Sequence, residues 1–184
     1  MANNLIETEV KFKIQDLSEL EGKIKSAEGK ELHRNIFQRT IRMDTPEESL
    51  IKRGVFLRVR DGEKKIITVK SKLPESDKNF KEREELEIEI SDVPLAEKIF
   101  FTLGFTEKWI MEKYRTEYEL AGTILALDHL LFGDYLEIEG DKDSIEKAIK
   151  ILGLEKETRI TKTYWHLFEN YKKKNNLNER NIVF

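Results

Sequence analysis

Charged and apolar residues alternate along one predicted strand after another, and this alternation restricts the fold more than any other feature of the sequence. The first such segment, residues 6–14, reads IETEVKFKI and places Glu7, Glu9, Lys11 and Lys13 on one face. For a single strand, a charged face turned to solvent is the simplest explanation. Seven strands of this kind instead favour a sheet whose apolar faces pack on outer helices and whose charged faces point together into the concave side.

The alternation and the number of strands predict an α+β fold built on an eight-stranded antiparallel β-barrel, with a polar, charged lumen and helices packed outside. Closure of the sheet is expected because it removes exposed strand edges. Clustered carboxylates in such a lumen repel one another unless cations or metal ions compensate them. A polyanion with a divalent metal would therefore suit this lumen. The residues expected to point inward are Glu7, Glu9, Lys11, Arg58, Arg60, Thr68, Lys70, Lys72, Arg83, Glu85, Glu87, Lys113, Arg115, Glu117, Asp128, Glu137 and Glu139.

A strand, a capped helix and further strands recur after about 75 to 79 residues, which indicates an internal repeat. The clearest match is between LRVRDG at 57–62 and LEIEGD at 136–141, where glutamates replace arginines. The repeat predicts two pseudo-equivalent halves, one that contributes positive charge to the lumen and one that contributes negative charge. The expected equivalent walls carry Arg58 and Arg60 on one side and Glu137 and Glu139 on the other.

The chain is interpreted as one domain over residues 1–172, followed by a C-terminal tail over residues 173–184 whose weak patterning is typical of disorder. Residues 45–48, TPEE, have the cap, proline and glutamate of a helix start. The stretch 73–81 is polar and contains a proline, which predicts a mobile loop. A final helix is expected over about 161–172.

The charge balance and the lack of cysteine exclude several classes of protein. The chain has 33 Lys and Arg against 36 Asp and Glu, a net charge of -3, whereas a protein that binds duplex nucleic acid usually has a basic excess. Without cysteine, disulfides and thiolate zinc sites are excluded. The N-terminus is acidic where a signal peptide is basic, and no apolar run is long enough to span a membrane. We expect a cytoplasmic protein with neither duplex nucleic acid nor membrane as a partner.

A series of motifs matches one known family in order and spacing over roughly residues 5–170. The most specific motif is Glu-x-Glu-x-Lys, present as Glu7, Glu9 and Lys11. The sequence resembles the CYTH family, also called triphosphate tunnel metalloenzymes, which includes class IV adenylyl cyclases and thiamine triphosphatases. The other matching segments are 37–38, 43–46, 57–60, 69–70, 83–87, 113–115, 127–128, 136–139 and 162–164.

This resemblance implies an eight-stranded tunnel that binds a triphosphate-containing small molecule together with Mg²⁺ or Mn²⁺, ions that prefer oxygen ligands. The implied catalytic residues are Lys11, Glu7 and Glu9, with Lys11 as either a phosphate contact or a proton-transfer group. The implied metal ligands are Glu7, Glu9, Glu85, Asp128, Glu137 and Glu139. The implied phosphate-binding residues are Lys11, Arg58, Arg60, Lys70, Arg83, Lys113, Arg115 and Lys162.

One departure from the family pattern and two tryptophans bear on the substrate. Thiamine triphosphatases typically have an aromatic pair before the Asp-Thr-Pro turn, and here Arg42 replaces the tyrosine, which disfavours thiamine triphosphate. Arg42 is interpreted either as an extra phosphate contact or as an exposed strand residue. Trp109 and Trp165 could flank a nucleoside, but packing on the outside of the sheet is the favoured interpretation.

Three functions are compatible with these motifs. The first is a triphosphatase that hydrolyses inorganic or nucleoside triphosphate, since phosphoryl transfer needs positioning and charge neutralisation more than a special nucleophile. The second is a class IV-like adenylyl cyclase that makes cyclic AMP and pyrophosphate from ATP. The third is a non-catalytic module that binds polyphosphate or RNA ends. The triphosphatase is favoured because water is always available, and a homodimer is compatible with the sequence.

Overall fold

The computed structural model describes residues 6–73 and 77–184, so residues 74–76 of the predicted mobile loop lie outside the described residues. Within the described ranges the chain forms eight strands and five helices, which confirms the α+β class. In chain order these are β1 (Ile6–Ile14), α1 (Leu17–Ser26), β2 (Lys30–Asp44), α2 (Ser49–Lys52), β3 (Val55–Asp61), β4 (Ile66–Lys72), β5 (Lys81–Glu89), α3 (Val93–Thr102), β6 (Thr106–Leu120), β7 (Thr123–Leu130), β8 (Gly133–Glu139), α4 (Lys142–Leu152) and α5 (Tyr164–Asn175).

All eight strands belong to one antiparallel sheet that closes into a ring. The order round the ring is β1, β5, β4, β3, β2, β6, β7 and β8, and β8 pairs back to β1. The predicted closed, antiparallel arrangement of eight strands is therefore confirmed. In a ring of this order β3 and β8 lie four places apart, on opposite sides. Across residues 6–73 and 77–184, no helix has both the length and the apolar composition needed to cross a bilayer.

Much of the apolar core lies outside the ring, between the strands and helices α1, α3 and α4, while a separate cluster around Trp109 and Phe168 joins the ring to α5. Helix α1 begins after Asp16, whose carboxylate accepts the backbone N–H of Glu19, and it buries Leu20 and Ile24 against the outer face of the sheet. Helix α4 packs into the same cluster. Because successive side chains of a strand point to opposite faces, burying the apolar residues outside turns the charged ones inward. The outward residues of β1 and β8 in this cluster are Val10, Phe12, Leu136 and Ile138.

The internal repeat is visible in the strand order, but its strands pair differently from the prediction. Exchanging β1 with β5, β2 with β6, β3 with β7 and β4 with β8 leaves the order round the ring unchanged. The sequence match instead equated β3 with β8, and that equivalence is wrong. Any alternating strand that ends in a Gly-containing turn resembles any other, so a match of six residues does not identify the partner strand.

The turn after β2 also corrects the prediction, because residues 45–48 precede helix α2 rather than begin it. Asp44 is fully buried and accepts hydrogen bonds from the backbone N–H groups of Leu50 and Ile51 at 2.9 and 3.1 Å. Arg42 donates to the same carboxylate at 2.7 Å and is itself buried. Arg42 is therefore not an exposed strand residue, and it does not line the main cavity. It anchors the turn.

We expect Asp44→Asn to lower the free energy of unfolding by about 2 kcal/mol at neutral pH, because hydrogen bonds to a buried carboxylate are stronger than those to an amide. Burial raises the pKa of Asp44, but hydrogen bonds from the backbone of Leu50, Ile51 and Thr45 outweigh it, and the pKa lies below its ordinary value. This stabilisation is present above about pH 4 and is lost as the pH falls through the lowered pKa.

Urea unfolding of wild type and Asp44→Asn at several pH values tests this expectation. The stability difference should narrow as the pH falls below about 4. Asp61→Asn, an exposed aspartate at the end of β3, is the matched control. A stability difference that is independent of pH would show that the charge of Asp44 is not what stabilises the turn.

The C-terminal tail is ordered, and the prediction of disorder is wrong. Ile182 is fully buried, its N–H donates to the carbonyl of Ile110, and its carbonyl accepts the N–H of Glu112. The ring of Phe184 stacks on His129 with centroids 5.4 Å apart. Strand β7 pairs only with the second half of β6, from Tyr114 onward. The tail therefore occupies the strand edge that β7 leaves open.

We expect Ile182→Ala to lower the free energy of unfolding by about 2 kcal/mol, the lower end of the range for truncating a buried isoleucine, because a terminal segment can relax around the space. Chemical denaturation measures this loss. Val183→Ala is the matched control, since the neighbouring Val183 is only half-buried. Equal stabilities of the two variants would mean that the tail contributes no burial of its own.

Candidate functional site

The ring of strands encloses a cavity of about 460 Å³ whose lining is mostly charged. Strands β1, β3, β4, β5, β6 and β8 supply the lining together with the start of α5. Both charge types of the predicted lumen are present. The predicted site residues that line the cavity are Glu7, Glu9, Lys11, Arg58, Arg60, Lys70, Arg83, Glu85, Lys113, Arg115, Glu137 and Glu139.

Lys11 is buried at the centre of an ion-pair network on β1 and β8. Its ammonium group contacts the carboxylate of Glu9 and lies 2.9 Å from Glu137 Oε1. Burial lowers the pKa of Lys11, but the charges of Glu137 and Glu9 outweigh it and hold the pKa above its ordinary value. Lys11 therefore stays protonated at neutral pH. This favours the phosphate contact over the proton-transfer role, since a permanently charged lysine is a poor proton acceptor.

Glu9 is held by lysines on two strands. Besides Lys11, the ammonium of Lys81 on β5 donates to Glu9 Oε1 at 2.6 Å. Burial raises the pKa of Glu9, yet the charges of Lys11 and Lys81 outweigh it and keep the carboxylate ionised. Sequence reasoning missed Lys81. The signal was available, because Lys81 continues the alternation of Arg83 and Glu85 by one more inward position.

Asp128 lies beneath the lining and organises two cations of β6. It is fully buried and accepts hydrogen bonds from Lys113 at 2.9 Å, from Arg115 Nε at 2.6 Å and from the Tyr164 hydroxyl at 2.8 Å. Arg115 also contacts Glu137 on β8. Asp128 does not line the cavity and its oxygens accept these hydrogen bonds, so its metal-ligand role stays a prediction. In this arrangement its carboxylate orients Lys113 and Arg115.

Lys162 likewise does not line the cavity. It is exposed and precedes α5, whereas the next residues, Thr163, Tyr164 and Trp165, do face the interior. The expected phosphate contact from Lys162 is therefore not found in this arrangement. The final motif instead contributes Tyr164, whose ring lies about equally far from Lys11 and Lys113, at 5.3 and 5.4 Å.

Positive charge is in excess around Arg60 on β3. Among residues 6–73 and 77–184, no carboxylate lies within ion-pair distance of Arg60, and the Nε of the neighbouring Arg58 is buried without a hydrogen-bond partner. Burial lowers the pKa of Arg60 to about 10, and the charges of Arg58 and Arg115 contribute to this. A half-buried guanidinium beside two others suits an anion, because a bound anion would relieve their repulsion.

A second, smaller cavity of about 190 Å³ shares this cationic group with the first. Arg60, Arg115 and Glu117 line both cavities, and the second also contacts His33 and Gln38 of β2. The cations of β3 and β6 thus lie where the two cavities meet. An anion bound by these cations would therefore be accessible from both cavities.

Negative charge is in excess around Glu139, across the ring from Arg60. In the part of the chain that the structure describes, no basic side chain lies within ion-pair distance of Glu139. Although the residue as a whole is exposed, desolvation of its carboxylate raises its pKa to about 7, and the charge of Glu7 adds to this while Lys70 opposes it. Glu85 has its pKa raised to about 7 mainly by burial too. This side of the cavity favours a cation.

The carboxylates fit a divalent metal that shares its ligands with a substrate. Within the described ranges, no three acidic or imidazole side chains are close enough to form a complete metal site. Mg²⁺ commonly takes only one or two carboxylates and completes its shell with water and phosphate oxygens. Glu139 suits that mode. Glu7 is ion-paired with Lys70, and Glu9 and Glu137 with Lys11, so the metal-ligand role of these three carboxylates stays a prediction.

One end of the cavity is apolar and aromatic, and we call Phe56, Trp109 and Trp165 the aromatic end. The two indole rings are parallel and stacked, with centroids 4.9 Å apart, and Phe56 lies 5.7 Å from Trp109. All three side chains line the cavity. The favoured interpretation of the tryptophans as packing outside the sheet is therefore wrong. Trp109 lies four residues before Lys113 on β6, so its side chain points to the same, inward face. This signal was present in the sequence, but an apolar side chain suggested the outer face instead.

Comparisons with known proteins agree with this architecture. The CYTH domain matches residues 5–164. A protein of Methanocaldococcus jannaschii named "Putative adenylate cyclase MJ0240" is 29% identical over 174 aligned positions, and the match covers 89% of this chain and 98% of that protein.

Among solved structures, the PH1819 protein of Pyrococcus horikoshii is 27% identical, with a TM-score of 0.74 over 90% of this chain and 99% of that one. The Hippeastrum protein HpAC1, named a "putative adenylyl cyclase" and described as having a dominant triphosphatase activity, is 18% identical. Its TM-score is 0.67 over 90% of this chain and 96% of that one, and at this identity the likeness concerns the fold alone. Because the domain match spans most of the sequence and its motifs line the cavity, the chain belongs to the CYTH family.

Proposed function

We propose that this protein is a divalent-metal-dependent triphosphatase that hydrolyses the terminal phosphoanhydride bond of a triphosphate-containing molecule. The observation that carries the proposal is the pair of uncompensated charges on opposite walls, Arg60 on β3 and Glu139 on β8. Among the described residues, Arg60 has no carboxylate and Glu139 has no basic group within ion-pair distance. A triphosphate with a divalent metal supplies the anion for one and the cation for the other.

The cationic residues have distinct roles in this proposal. Arg58 and Arg60 bind phosphate oxygens with their guanidinium forks, while Lys113 and Arg115, oriented by Asp128, add further positive charge. Lys11 supplies a fixed charge at the carboxylate side. These groups orient the phosphate chain and neutralise the charge that develops as water attacks the terminal phosphorus and the bond to the leaving diphosphate breaks.

CYTH proteins generally depend on a divalent metal, and the donor set here is compatible with one. Glu139 and Glu7 would hold it, with Glu85 nearby. Bound there, Mg²⁺ or Mn²⁺ would neutralise phosphate oxygens that the arginines do not reach. Which of the two metals is used stays part of the proposal, as do a cytoplasmic location and a homodimeric state.

A class IV-like adenylyl cyclase is the second candidate function. The name of the Methanocaldococcus relative supports it, and so does the aromatic end, which offers a surface for a base. In that reaction the ribose 3′-hydroxyl attacks the α-phosphorus and pyrophosphate leaves. The hydrolase is preferred because water is always present, whereas cyclisation needs the ribose held in an attacking position.

Product analysis by chromatography tests these alternatives. The purified protein is incubated with ATP, inorganic triphosphate and thiamine triphosphate, each with Mg²⁺ and with Mn²⁺. Release of orthophosphate is the expected result. Cyclic AMP with pyrophosphate would establish the cyclase instead. Binding of triphosphate without any product in either metal would overturn both and leave the non-catalytic polyphosphate or RNA-end binding module.

A further inference from the structure

The second cavity continues the interior of the ring beyond the phosphate-binding cations. The inward positions of β3 that line the larger cavity are Phe56, Arg58 and Arg60, and of these three Arg60 also lines the second cavity. On β6, Arg115 and Glu117 likewise line both cavities. A phosphate bound by Arg60 and Arg115 therefore has the larger cavity on one side and the second cavity on the other.

The geometry of phosphoryl transfer gives these two cavities different tasks. The attacking oxygen and the leaving group lie roughly in line, on opposite sides of the phosphorus. The larger cavity, of about 460 Å³, has the room for the rest of the phosphate chain, whereas the second cavity has about 190 Å³. With the terminal phosphate between Arg60 and Arg115, the leaving diphosphate lies in the larger cavity. The attacking water then comes from the second cavity, which is large enough for several waters.

Gln38 of β2 brings an unpaired acceptor to the second cavity. Its side-chain oxygen is buried and has no hydrogen-bond partner among the described residues. Gln38 pairs with Lys113 of β6 and lies one inward position beyond Thr40, which pairs with Arg60. Buried acceptors in proteins are mostly paired, either with protein groups or with ordered water. This oxygen is therefore placed to accept a hydrogen bond from a water beside the phosphate-binding cations.

Glu117 brings a carboxylate to the same junction. Its Oε1 lies 3.6 Å from Arg115 Nη1, which is too far for a hydrogen bond, and Arg115 is held more closely by two other carboxylates. Glu63, the other acid that lines the second cavity, is paired with His33 at 2.7 Å. Glu117 is therefore the less engaged of the two acids and the one that also borders the larger cavity.

We propose that Gln38 and Glu117 hold the attacking water in the second cavity, with Glu117 as the base that accepts its proton. The water oxygen bonds to the terminal phosphorus, the bond from that phosphorus to the bridging oxygen breaks, and diphosphate leaves with the electron pair. One proton of the water passes to the Glu117 carboxylate, while Gln38 accepts a hydrogen bond that keeps the oxygen in line. The inference rests on the proposed function, because a cyclase uses the ribose hydroxyl instead of water.

The main alternative is that the second cavity binds part of the phosphate chain. Lys64 lines it beside Arg60 and adds positive charge, although Glu63 and Glu117 oppose an anion there. The two roles differ in what a substitution changes. Loss of a phosphate contact weakens binding, whereas loss of a contact to the attacking water lowers kcat and leaves binding intact.

The variants Gln38→Leu and Glu117→Gln separate these roles. We expect kcat for triphosphate hydrolysis to fall about 10-fold in Gln38→Leu and about 10²-fold in Glu117→Gln, since a positioned base commonly contributes at least the latter factor. The Kd of triphosphate is measured by calorimetry with Ca²⁺ in place of Mg²⁺, after chromatography has verified that the ligand stays intact. It should not rise in either variant. In Glu117→Gln it should fall, because a negative charge beside Arg115 is removed.

Gln15→Leu and Glu119→Gln are the matched controls, because both side chains are exposed and neither lines either cavity. The double variant of Gln38 and Glu117 should be little slower than Glu117→Gln alone, since both side chains act on one water. Losses that multiply in the double variant would overturn the shared water. A raised Kd with unchanged kcat would assign both residues to phosphate binding, and circular dichroism establishes that each variant is folded.

A crystal structure of the wild-type protein gives a measurement that needs no variant. The ligand is a triphosphate in which an imido group replaces the bridging oxygen next to the terminal phosphorus. We expect a water within hydrogen-bond distance of Gln38 Oε1 and of the Glu117 carboxylate, on the side of that phosphorus that faces the second cavity. Phosphate atoms inside the second cavity would overturn the inference.

The failure of this inference and the failure of the proposed function give different results. If the wild-type protein releases no orthophosphate from any triphosphate, the proposed function fails. If it releases orthophosphate and both single variants keep the wild-type kcat, the hydrolase stands and only the assignment of Gln38 and Glu117 is wrong.

Discussion

Glu139→Gln is expected to lower metal-dependent turnover of triphosphate by about 10³-fold, because it removes the charge of a cavity carboxylate that has no counter-ion among the described residues. In the described residues, the other lining acids of β1 and β8 are engaged by lysines or by Arg115. Among these acids of the described residues, Glu139 alone has no internal cation that competes with an external one. Its neutralisation should therefore weaken metal binding rather than loosen the fold.

Initial rates over a range of Mg²⁺ and Mn²⁺ concentrations test this prediction. We expect the variant to need far more metal for half-maximal rate, and its unfolding free energy to stay within about 0.5 kcal/mol of wild type. Glu84→Gln, an exposed glutamate that β5 turns outward, is the matched control. Rates close to wild type at every metal concentration would place the metal away from β8.

The faces of the strands could be predicted from the sequence because the side-chain period of a strand is two. Once one residue of β8 is known to be inward, Glu137 and Glu139 are fixed together, and the same holds for Arg58 and Arg60 of β3. All four line the cavity as expected. The separation of positive charge on β3 from negative charge on β8 was also predicted. It arises because the two strands lie opposite each other in the ring, not because they are equivalent in the repeat.

Depth could not be predicted in this way. Alternation gives the face of a strand on which a residue lies, but not its distance from the cavity surface. Asp128 lies on the inward face of β7, yet the side chains of Lys113, Arg115 and Tyr164 cover it. Tyr164 comes from α5, far away in sequence. A metal ligand and a buried positioning residue have the same sequence signature here, because both are acids at an inward position.

Contacts between segments that are far apart in the sequence could not be predicted either. The tail was predicted to be disordered because its own pattern is weak, yet Ile182 is buried by β6. Its docking depends on an edge that exists only because β7 is shorter than β6. The stack of Trp109 on Trp165 likewise joins a strand to a helix that follows about 45 residues after it has ended.

Arg58→Ala is expected to lower kcat/KM for triphosphate by about 10²–10³-fold, the usual loss when one preorganised charge contact is removed from a catalytic site. The guanidinium of Arg58 is loosely engaged, since its Nη2 lies 3.5 Å from both Glu85 and Glu87 and its Nε has no partner among the described residues. Little is therefore lost when it turns towards a phosphate. Arg58→Lys should recover part of the rate, because it keeps the charge but not the two-pronged geometry.

Arg60 cannot compensate for this loss. Arg58 is one of the charges that hold the pKa of Arg60 down to about 10, so removing Arg58 raises that pKa further above neutrality. Arg60 is already fully protonated at pH 7, and it gains no charge from the change. Arg39→Ala, on the outer face of β2, is the matched control because it removes an arginine that does not line the cavity. Wild-type kinetics in Arg58→Ala would mean that the phosphates lie on another wall, and equal losses in the alanine and lysine variants would mean that fork geometry, not charge, governs binding at this position.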